Sequence, residues 1–127
     1  MSGLGGNDVL FGKGGSDILT GGGGSDQFVF DTVPGAGNVD TLTDFESGTD
    51  RIVLENAVFQ ALGANGALSA TMFEIGAVAT RPDTHVLFDP TTGVISYDAD
   101  GSGAVAAVAF ALLPFGVTVN ASDFLII

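Results

Sequence analysis

A single large apolar residue recurs every nine positions near the start of the chain, at Leu10, Leu19 and Phe28. The residues between them are mostly glycine and small polar residues, whereas an amphipathic helix repeats its apolar positions every three or four residues. Glycine is also destabilising in the interior of helices and of long strands. The pattern therefore predicts very short strands, each pointing one large side chain into a core, joined by tight glycine turns.

The pattern changes after residue 31. The stretch RIVL, at residues 51–54, is strand-like, and residues 56–62 are a short helical candidate. Residues 85–113 contain β-branched and aromatic runs separated by the turn sequences PTTG and DGSG, which predicts strand, turn, strand, turn, strand. The tail NASDFLII supplies another strand. The whole chain is therefore predicted to be all-β.

The glycine turns carry aspartates at the same nine-residue spacing, at Asp8, Asp17 and Asp26. In register, residues 3–29 are three units, GLGGNDVLF, GKGGSDILT and GGGGSDQFV. Two units make one coil, so Asp8 and Asp26 are expected on one edge and Asp17 on the other. Stacked strands lie about 4.8 Å apart. At that separation, carboxylates and backbone carbonyls of two turns can share a hard cation such as Ca²⁺.

Two alternatives to a metal site are a glycine-rich linker and a series of aspartate turns that binds nothing. A flexible linker has no need of a large apolar residue two positions after each aspartate. Three matches in register therefore favour calcium binding over both alternatives.

The net charge of the chain also favours cation binding. Fifteen acids against three bases give a formal net charge of -12, and repulsion among the acids opposes folding unless cations bind. Nucleic acid and anionic membranes are poor partners for such a surface. The chain has no cysteine, hence no disulfide or thiolate metal site, and no apolar run of the ~18 residues that membrane insertion needs. Because MS stands directly before a repeat, we expect a fragment of a longer array.

The three units resemble the glycine- and aspartate-rich nonapeptide of the RTX (repeats-in-toxin) family, G-G-x-G-x-D-x-U-x. Position two departs from that pattern at Leu4 and Lys13. The resemblance implies a short parallel β-roll that binds Ca²⁺ through the three aspartates and the first four positions of each turn. The implied glycine ligands are Gly3, Gly5, Gly12, Gly14, Gly21, Gly22, Gly23 and Gly24.

The segment VDTLTDFESGTDRIVLENAVFQAL is similar to the one that follows the last repeat in RTX proteases and lipases, with D-x-x-x-D-F and then G-x-D-x-I-x-L. By this resemblance, Asp40 or Asp44 completes the half-sites left open at Asp17 and Asp26. The alternative is that these acids only cap turns and solvate a strand edge.

The remaining candidates for chemistry are weaker. DADGSG places Asp98, Asp100 and Ser102 at alternating positions, like the start of an EF-hand loop, but Ala109 stands where that loop needs glutamate. A hairpin turn is favoured there over a second calcium site. The single histidine, His85, has no HExxH partner, and no GxSxG motif occurs, so we expect no enzymatic activity.

Over essentially its whole length, the chain resembles the C-terminal region of bacterial RTX proteins exported by type I secretion. The resemblance implies a β-roll at residues 1–30, and a β-rich target region with C-terminal hairpins at residues 31–127 that packs on the roll. SDFLII resembles the uncleaved C-terminal secretion signal of the family. The implied function is calcium-triggered folding and export to the outside of a bacterium or its surface, with Ca²⁺ and the secretion apparatus as partners. The alternatives are the calcium module of an adhesin or surface-layer protein, and the non-catalytic end of a secreted protease or lipase.

Overall fold

A computed structural model of the chain describes residues 3–35, 37–63, 65–103 and 105–127. The described residues form short strands and three single-turn 3₁₀ helices, which confirms the predicted all-β class. The strands are β1 Val9–Phe11, β2 Ile18–Leu19, β3 Gln27–Phe30, β4 Asp40–Leu42, β5 Arg51–Leu54, β6 Gly66–Ala67, β7 Phe73–Ile75, β8 Val86–Asp89, β9 Val94–Tyr97, β10 Val108–Leu112 and β11 Phe124–Ile126. The 3₁₀ helices are Gln60–Leu62, Ala70–Met72 and Ala121–Asp123.

Successive strands of the repeats alternate between two sheets. The first sheet has the order β1-β3-β5-β11-β6, and its first four strands are parallel. Residues eighteen positions apart, such as Val9 and Gln27, are directly paired across β1 and β3. This register is what two nonapeptides per coil require, and the arrangement is consistent with the predicted β-roll.

The second sheet begins with β2 and continues into the later part of the chain, with the order β2-β4-β10-β9-β8-β7. Strands β2, β4 and β10 are parallel, whereas β8, β9 and β10 form an antiparallel meander. The meander confirms the strand and turn pattern predicted for residues 85–113. The helical candidate at residues 56–62 is shorter than predicted, because only Gln60–Leu62 is helical and Gly63 follows with a φ of 73°.

The core lies between the inward faces of the two sheets. In the first sheet, one buried apolar side chain from each parallel strand continues the row that begins in the repeats: Leu10, Phe28, Ile52 and Phe124. Aromatic rings fill the space near the later strands, where Phe59 contacts both Tyr97 and Phe110 in edge-on geometry at about 5 Å. The hydrophobic core therefore includes residues from 1–30 and from 31–127, and the division into these two domains stays a prediction.

The described residues contain no helix of the length and apolarity that crossing a bilayer requires.

Candidate metal centre

The glycine turns owe their shape to backbone conformation at two positions of each nonapeptide. Position four has a φ of 92–99° at Gly6, Gly15 and Gly24, and position two also has a positive φ, at Leu4 (81°), Lys13 (65°) and Gly22 (88°). Residues other than glycine adopt this left-handed region at a cost. Position two thus keeps the turn geometry of the family pattern even where the sequence departs from it.

Close stacking of the first turn on the third explains two of the glycines. A Cβ at Gly22 would collide with the carbonyl oxygen of Leu4, and one at Gly24 with the carbonyl oxygen of Gly6. The amide of Gly23 donates to the Leu4 carbonyl at 3.0 Å. Backbone carbonyl oxygens of one coil therefore lie directly against the turn of the next coil.

The aspartates of the turns form two ladders of hydrogen bonds. On one edge, the amide of Asp8 donates to Oδ1 of Asp26 at 2.9 Å, and the amide of Asp26 donates to Oδ1 of Asp50 at 2.9 Å. On the other edge, the amide of Asp17 donates to Oδ1 of Asp40, again at 2.9 Å. Each rung uses one carboxylate oxygen, which leaves the second oxygen for another partner.

Each repeat aspartate has one carboxylate oxygen, Oδ2, that lacks a hydrogen-bond partner among the described residues. Oδ2 of Asp8, Asp17 and Asp26 is buried and accepts no hydrogen bond from the described part of the chain, and Asp26 as a whole is only 1% exposed. Burying a carboxylate oxygen without a donor is costly, unless a cation compensates for the lost hydration. The space beside Asp8 and Asp26 is kept open by Gly3 and Gly21, where a Cβ would collide with Oδ2. These features fit a calcium ion held by carboxylate and carbonyl oxygens.

Among the residues that the structure describes, no protein cation is paired with these aspartates. The ion pairs of the described residues join Lys13 to Asp31 at 2.7 Å and Arg81 to Glu74 at 3.6 Å. In the same part of the chain, no three His, Cys, Asp or Glu side chains cluster closely enough to hold a metal by themselves. A cation in the turns would therefore draw much of its coordination from backbone carbonyls.

The structure gives the two acids that were predicted to complete half-sites different environments. Asp40 joins Asp17, and burial raises the pKa of Asp40, with the nearby charge of Asp17 adding to the effect. Asp44 holds a turn, because its two oxygens accept from the amides of Gly21 at 2.8 Å and Gly22 at 2.7 Å, and its part in a calcium site stays a prediction. Asp44 thus supports the third turn through backbone hydrogen bonds.

The residue that meets Asp26 is Asp50, which the sequence analysis did not select. Its Oδ1 accepts from Asp26 and its Oδ2 accepts from the amide of Glu46 at 2.9 Å. Burial raises the pKa of Asp50, and the charges of Asp26 and Asp44 raise it further. A signal was present in the sequence, since Asp50 stands two positions before the buried Ile52, as each repeat aspartate stands before its apolar residue.

The acids of the DADGSG turn are engaged with each other and with the backbone. The amide of Asp100 lies 3.3 Å from Oδ1 of Asp98, and the amide of Val105 donates to Oδ2 of Asp100 at 3.0 Å. Burial raises the pKa of Asp98, and its hydrogen bond with the Asp100 side chain raises it further. Nδ1 of His85 lies 2.7 Å from the Asp98 carbonyl oxygen. These contacts fit a structural turn, and calcium binding by Asp98 and Asp100 stays a prediction.

Comparison with known proteins agrees with the geometry of the repeats. The family model described as the RTX calcium-binding nonapeptide repeat (4 copies) matches residues 2–32, about a quarter of the chain. No curated protein matches the chain. The matched segment contains all three nonapeptides with their stacked turns and partnerless carboxylate oxygens. Residues 2–32 are therefore RTX nonapeptide repeats, which bind Ca²⁺.

Proposed function

We propose that this chain is the calcium-dependent C-terminal module of a secreted bacterial RTX protein, which folds on Ca²⁺ and carries a type I secretion signal. The observation that carries the proposal is the set of buried Oδ2 atoms of Asp8, Asp17 and Asp26 without hydrogen-bond donors. Oδ2 of Asp8 and the carbonyl oxygen of Gly21 border the same space beside Gly3, and oxygen ligands of this kind are what Ca²⁺ prefers.

The first calcium site lies between the turns of residues 3–8 and 21–26. Asp8 and Asp26 supply carboxylate oxygens there, and carbonyl oxygens of Gly3, Gly5 and Gly21–Gly24 supply the remaining ligands. The second site, on the opposite edge, uses Asp17 and the turn with Gly12 and Gly14. Asp40 completes that second site, because its carboxylate joins Asp17 and its Oδ2 lies beside Gly12.

Calcium occupancy decides whether the repeats are ordered. Sites of the extracellular class have Kd values near ~10⁻⁴ to 10⁻³ M. At ten times Kd, each site adds about 1.4 kcal/mol of stability by mass action. That is a useful fraction of the few kcal/mol available to a small domain. At the submicromolar calcium of a cell interior these sites are empty, and they fill outside the cell.

Export follows from the same conditional folding. A chain without cysteine that stays unfolded at low calcium can pass a narrow channel and fold after it emerges. The tail supports this order of events, because Phe124 and Ile126 are buried in β11 between β5 and β6. The secretion apparatus would therefore read SDFLII before the tail enters the sheet. The chain acts as a folding and targeting module without catalysis of its own.

Hydrogen exchange resolved by segment tests the calcium part of the proposal. In millimolar Ca²⁺ we expect protection of the amides of residues 3–30, and in EGTA we expect that protection to disappear. Residues 85–113 serve as an internal control that keeps its protection in both conditions, since packing holds the meander. Equal protection of residues 3–30 with and without calcium would contradict the proposal.

Export is tested separately, in a bacterial host that carries a type I secretion apparatus. We expect the chain to reach the medium, and a variant with the last six residues replaced by a glycine–serine segment to stay in the cells. Equal export of both chains would contradict the proposed secretion signal, while the proposal of calcium sites would stand. Protease, lipase and esterase assays on the purified chain should show no turnover.

A further inference from the structure

A cavity of about 270 Å³ lies beside the DADGSG turn, which connects β9 to β10. Its described walls are formed by residues 77–79, residues 101–103 and residues 105–107, and most of these residues are alanine, valine or glycine. The volume is several times the ~30 Å³ that one water molecule occupies in the liquid. The cavity therefore has room for a side chain of another molecule.

One acid lies at the inner end of this largely apolar cavity. Asp98 is the only charged residue among the described lining residues. It is 4% exposed, whereas Val78 and Val105 are 72% and 55% exposed and form the rim. Burial raises the pKa of Asp98, and its hydrogen bond with the Asp100 side chain adds to the effect. A carboxylate in such surroundings is stabilised by a cation.

The described part of the chain supplies no cation to Asp98, because neither of its ion pairs includes this residue. Arg81 is engaged elsewhere, with Glu74 at 3.6 Å and with the carbonyl oxygen of Phe73 at 2.8 Å. Nδ1 of His85 lies 2.7 Å from the backbone carbonyl oxygen of Asp98, not from its carboxylate. A cation for the carboxylate therefore has to come from another molecule.

The turn that carries Asp98 is held in place by the loop at residues 81–82. Gly101 has a φ of 66°, and a Cβ at this position would collide with the carbonyl oxygen of Pro82. The amide of Ser102 donates to the carbonyl oxygen of Arg81 at 3.1 Å. One wall of the cavity is thus fixed by backbone contacts, as in binding sites that are formed before the ligand arrives.

We propose that this cavity is a docking site for a lysine side chain of a partner polypeptide. The alkyl chain of the lysine packs against the alanine and valine walls, and its ammonium group pairs with the carboxylate of Asp98. Arginine fits less well, because its planar fork prefers two free carboxylate oxygens, and Oδ1 of Asp98 already lies 3.3 Å from the amide of Asp100. This inference does not depend on the proposed calcium sites.

A calcium ion suits the cavity less well than an ammonium group. Ca²⁺ takes about six to eight oxygen ligands, and the alanine and valine side chains of the walls supply none. Ala109 also stands where an EF-hand loop has its glutamate, and the amide of Val105 occupies Oδ2 of Asp100 at 3.0 Å. The net charge of -12 attracts basic segments of other polypeptides, which favours lysine as the occupant.

Nuclear magnetic resonance of the isotope-labelled full chain tests the inference, with acetyl-Gly-Lys-Gly-amide as the probe. In about 0.15 M salt, which screens exposed charges, we expect saturable shifts of the amides of residues 77–79, 98–103 and 105–107. A matched peptide with norleucine in place of lysine keeps the alkyl chain without the charge. It should bind at least about tenfold more weakly, because hydrogen bonds between charged groups are the stronger ones. A peptide with arginine should also bind more weakly than the lysine peptide.

Three variants of the chain locate the contact. Asp98→Asn removes the charge at the inner end and should weaken binding of the lysine peptide by at least about tenfold. Ala106→Leu fills the cavity from an exposed wall position and should weaken binding with Asp98 intact. Asp83→Asn removes the same charge from an exposed position beside Pro82, and should change the affinity by less than about twofold.

Several results would overturn the inference. The lysine peptide could cause no shifts at the cavity, or the norleucine or arginine peptide could bind equally well. Equal losses in Asp98→Asn and Asp83→Asn would show that only net charge attracts the peptide. Displacement of the lysine peptide by about 10 mM Ca²⁺, a concentration above an extracellular-type Kd, with shifts of the amides of residues 98–103, would show that the metal is the occupant.

Discussion

Aspartates of the repeats and aspartates of the later chain are stabilised in different ways. Within the described ranges of the chain, Oδ2 of Asp8, Asp17 and Asp26 accepts no hydrogen bond. Farther along the chain, backbone amides and a hydroxyl occupy both oxygens of three comparable side chains: Asp44, Asp50 and Asp123. In the repeats, an aspartate carboxylate thus keeps one oxygen without a donor, where a cation can bind. In the later chain, protein donors occupy both carboxylate oxygens of these three aspartates.

The packing of apolar side chains also differs between the repeats and the later chain. The first two nonapeptides contribute one buried apolar side chain each, Leu10 and Leu19, the third contributes Phe28 and Val29, and the glycines contribute none. The later strands bring several large side chains together, including Phe59, Tyr97 and Phe110. Burial and hydrogen bonds therefore account for the structure of the described residues from 40 onward, whereas we propose that the repeat region at residues 3–30 also needs Ca²⁺.

The largest effect is expected from Asp26→Asn. Asparagine keeps an oxygen for the amide of Asp8 but removes the charge at Oδ2. We expect calcium affinity to fall by at least about tenfold, because even partners of metal ligands are worth roughly 10–100-fold in affinity. Ordering of residues 3–30 should then need correspondingly more calcium. Calorimetric titration with Ca²⁺ and hydrogen exchange measure the two effects.

Asp50→Asn is the matched control for Asp26→Asn, one rung farther along the same ladder. Both oxygens of Asp50 already accept backbone amides, so calcium affinity should change by less than about threefold, in line with a weak, screened charge effect. If the two variants lost affinity equally, the division between cation-bound and self-satisfied aspartates would not hold.

Asp123→Asn should destabilise the later region whether or not calcium is present. The carboxylate is 2% exposed and accepts from the Ser47 hydroxyl at 2.6 Å, the Gly48 amide at 2.9 Å and the Asn120 amide at 2.8 Å. Loss of its charge should cost about 1–3 kcal/mol, since hydrogen bonds to charged groups exceed neutral ones.

Tyr97 is a convenient probe for that experiment, because it is the only tyrosine and the chain has no tryptophan. Urea unfolding followed by Tyr97 fluorescence should give the same loss of stability in EGTA and in Ca²⁺. A loss seen only with calcium would instead tie Asp123 to the metal sites.

A smaller effect, in the opposite direction, is expected from Leu4→Gly. Leu4 is 77% exposed and has a φ of 81°, so its side chain gains little packing while its backbone is strained. Glycine should stabilise the ordered repeats by up to about 1 kcal/mol, because the left-handed penalty exceeds the entropy that glycine adds to the unfolded chain. The calcium concentration at which residues 3–30 become ordered should fall.

Gly22→Ala is the converse control at position two of the third repeat. Its φ is 88°, and a Cβ would also collide with the carbonyl oxygen of Leu4. Ordering of the repeats should therefore require much more calcium or fail. Equal behaviour of the two variants would mean that position two does not control the turn.

The sequence was most informative where a period repeats. Nine-residue spacing predicted which strands pair and that Asp8 and Asp26 share an edge, because a parallel coil leaves little freedom of register. It did not separate the roles of Asp44 and Asp50, since the turn of residues 44–50 no longer has the nine-residue spacing, although Asp50 keeps the two-residue distance to Ile52. Which of these acids meets Asp26 and which caps Gly21 and Gly22 depends on tertiary packing.

The effect of pH on folding stability should be smaller than the effects of these variants. Its direction should differ between the calcium-free and the calcium-bound protein. Burial raises the pKa of Asp40 and Asp50 above the ordinary aspartate value of about 3.9. A raised pKa means that the folded state binds the proton more tightly than the unfolded state. The resulting stabilisation is complete below about 3.9 and is lost as pH rises through the folded pKa. Without calcium, acidification from neutral pH should therefore stabilise the protein, whereas with calcium it should weaken binding, because protons compete for the carboxylates.

Asp40→Asn tests this prediction, because asparagine resembles the protonated acid and keeps an oxygen for the Asp17 amide. In EGTA at neutral pH, the variant should be more stable than the parent and should gain less on acidification, while its calcium affinity should fall. Asp83→Asn, at an exposed position, should leave all three properties unchanged. Unfolding is best followed above about pH 5. Hydrogen bonding from Thr80 lowers the pKa of Glu74, so the stabilisation by this group is lost as pH falls below the ordinary value of about 4.3 and through the lowered folded pKa. If Asp40→Asn and the parent kept the same pH dependence, protonation of Asp40 would not contribute to stability, and the calcium-free ladder would be held by its hydrogen bonds alone.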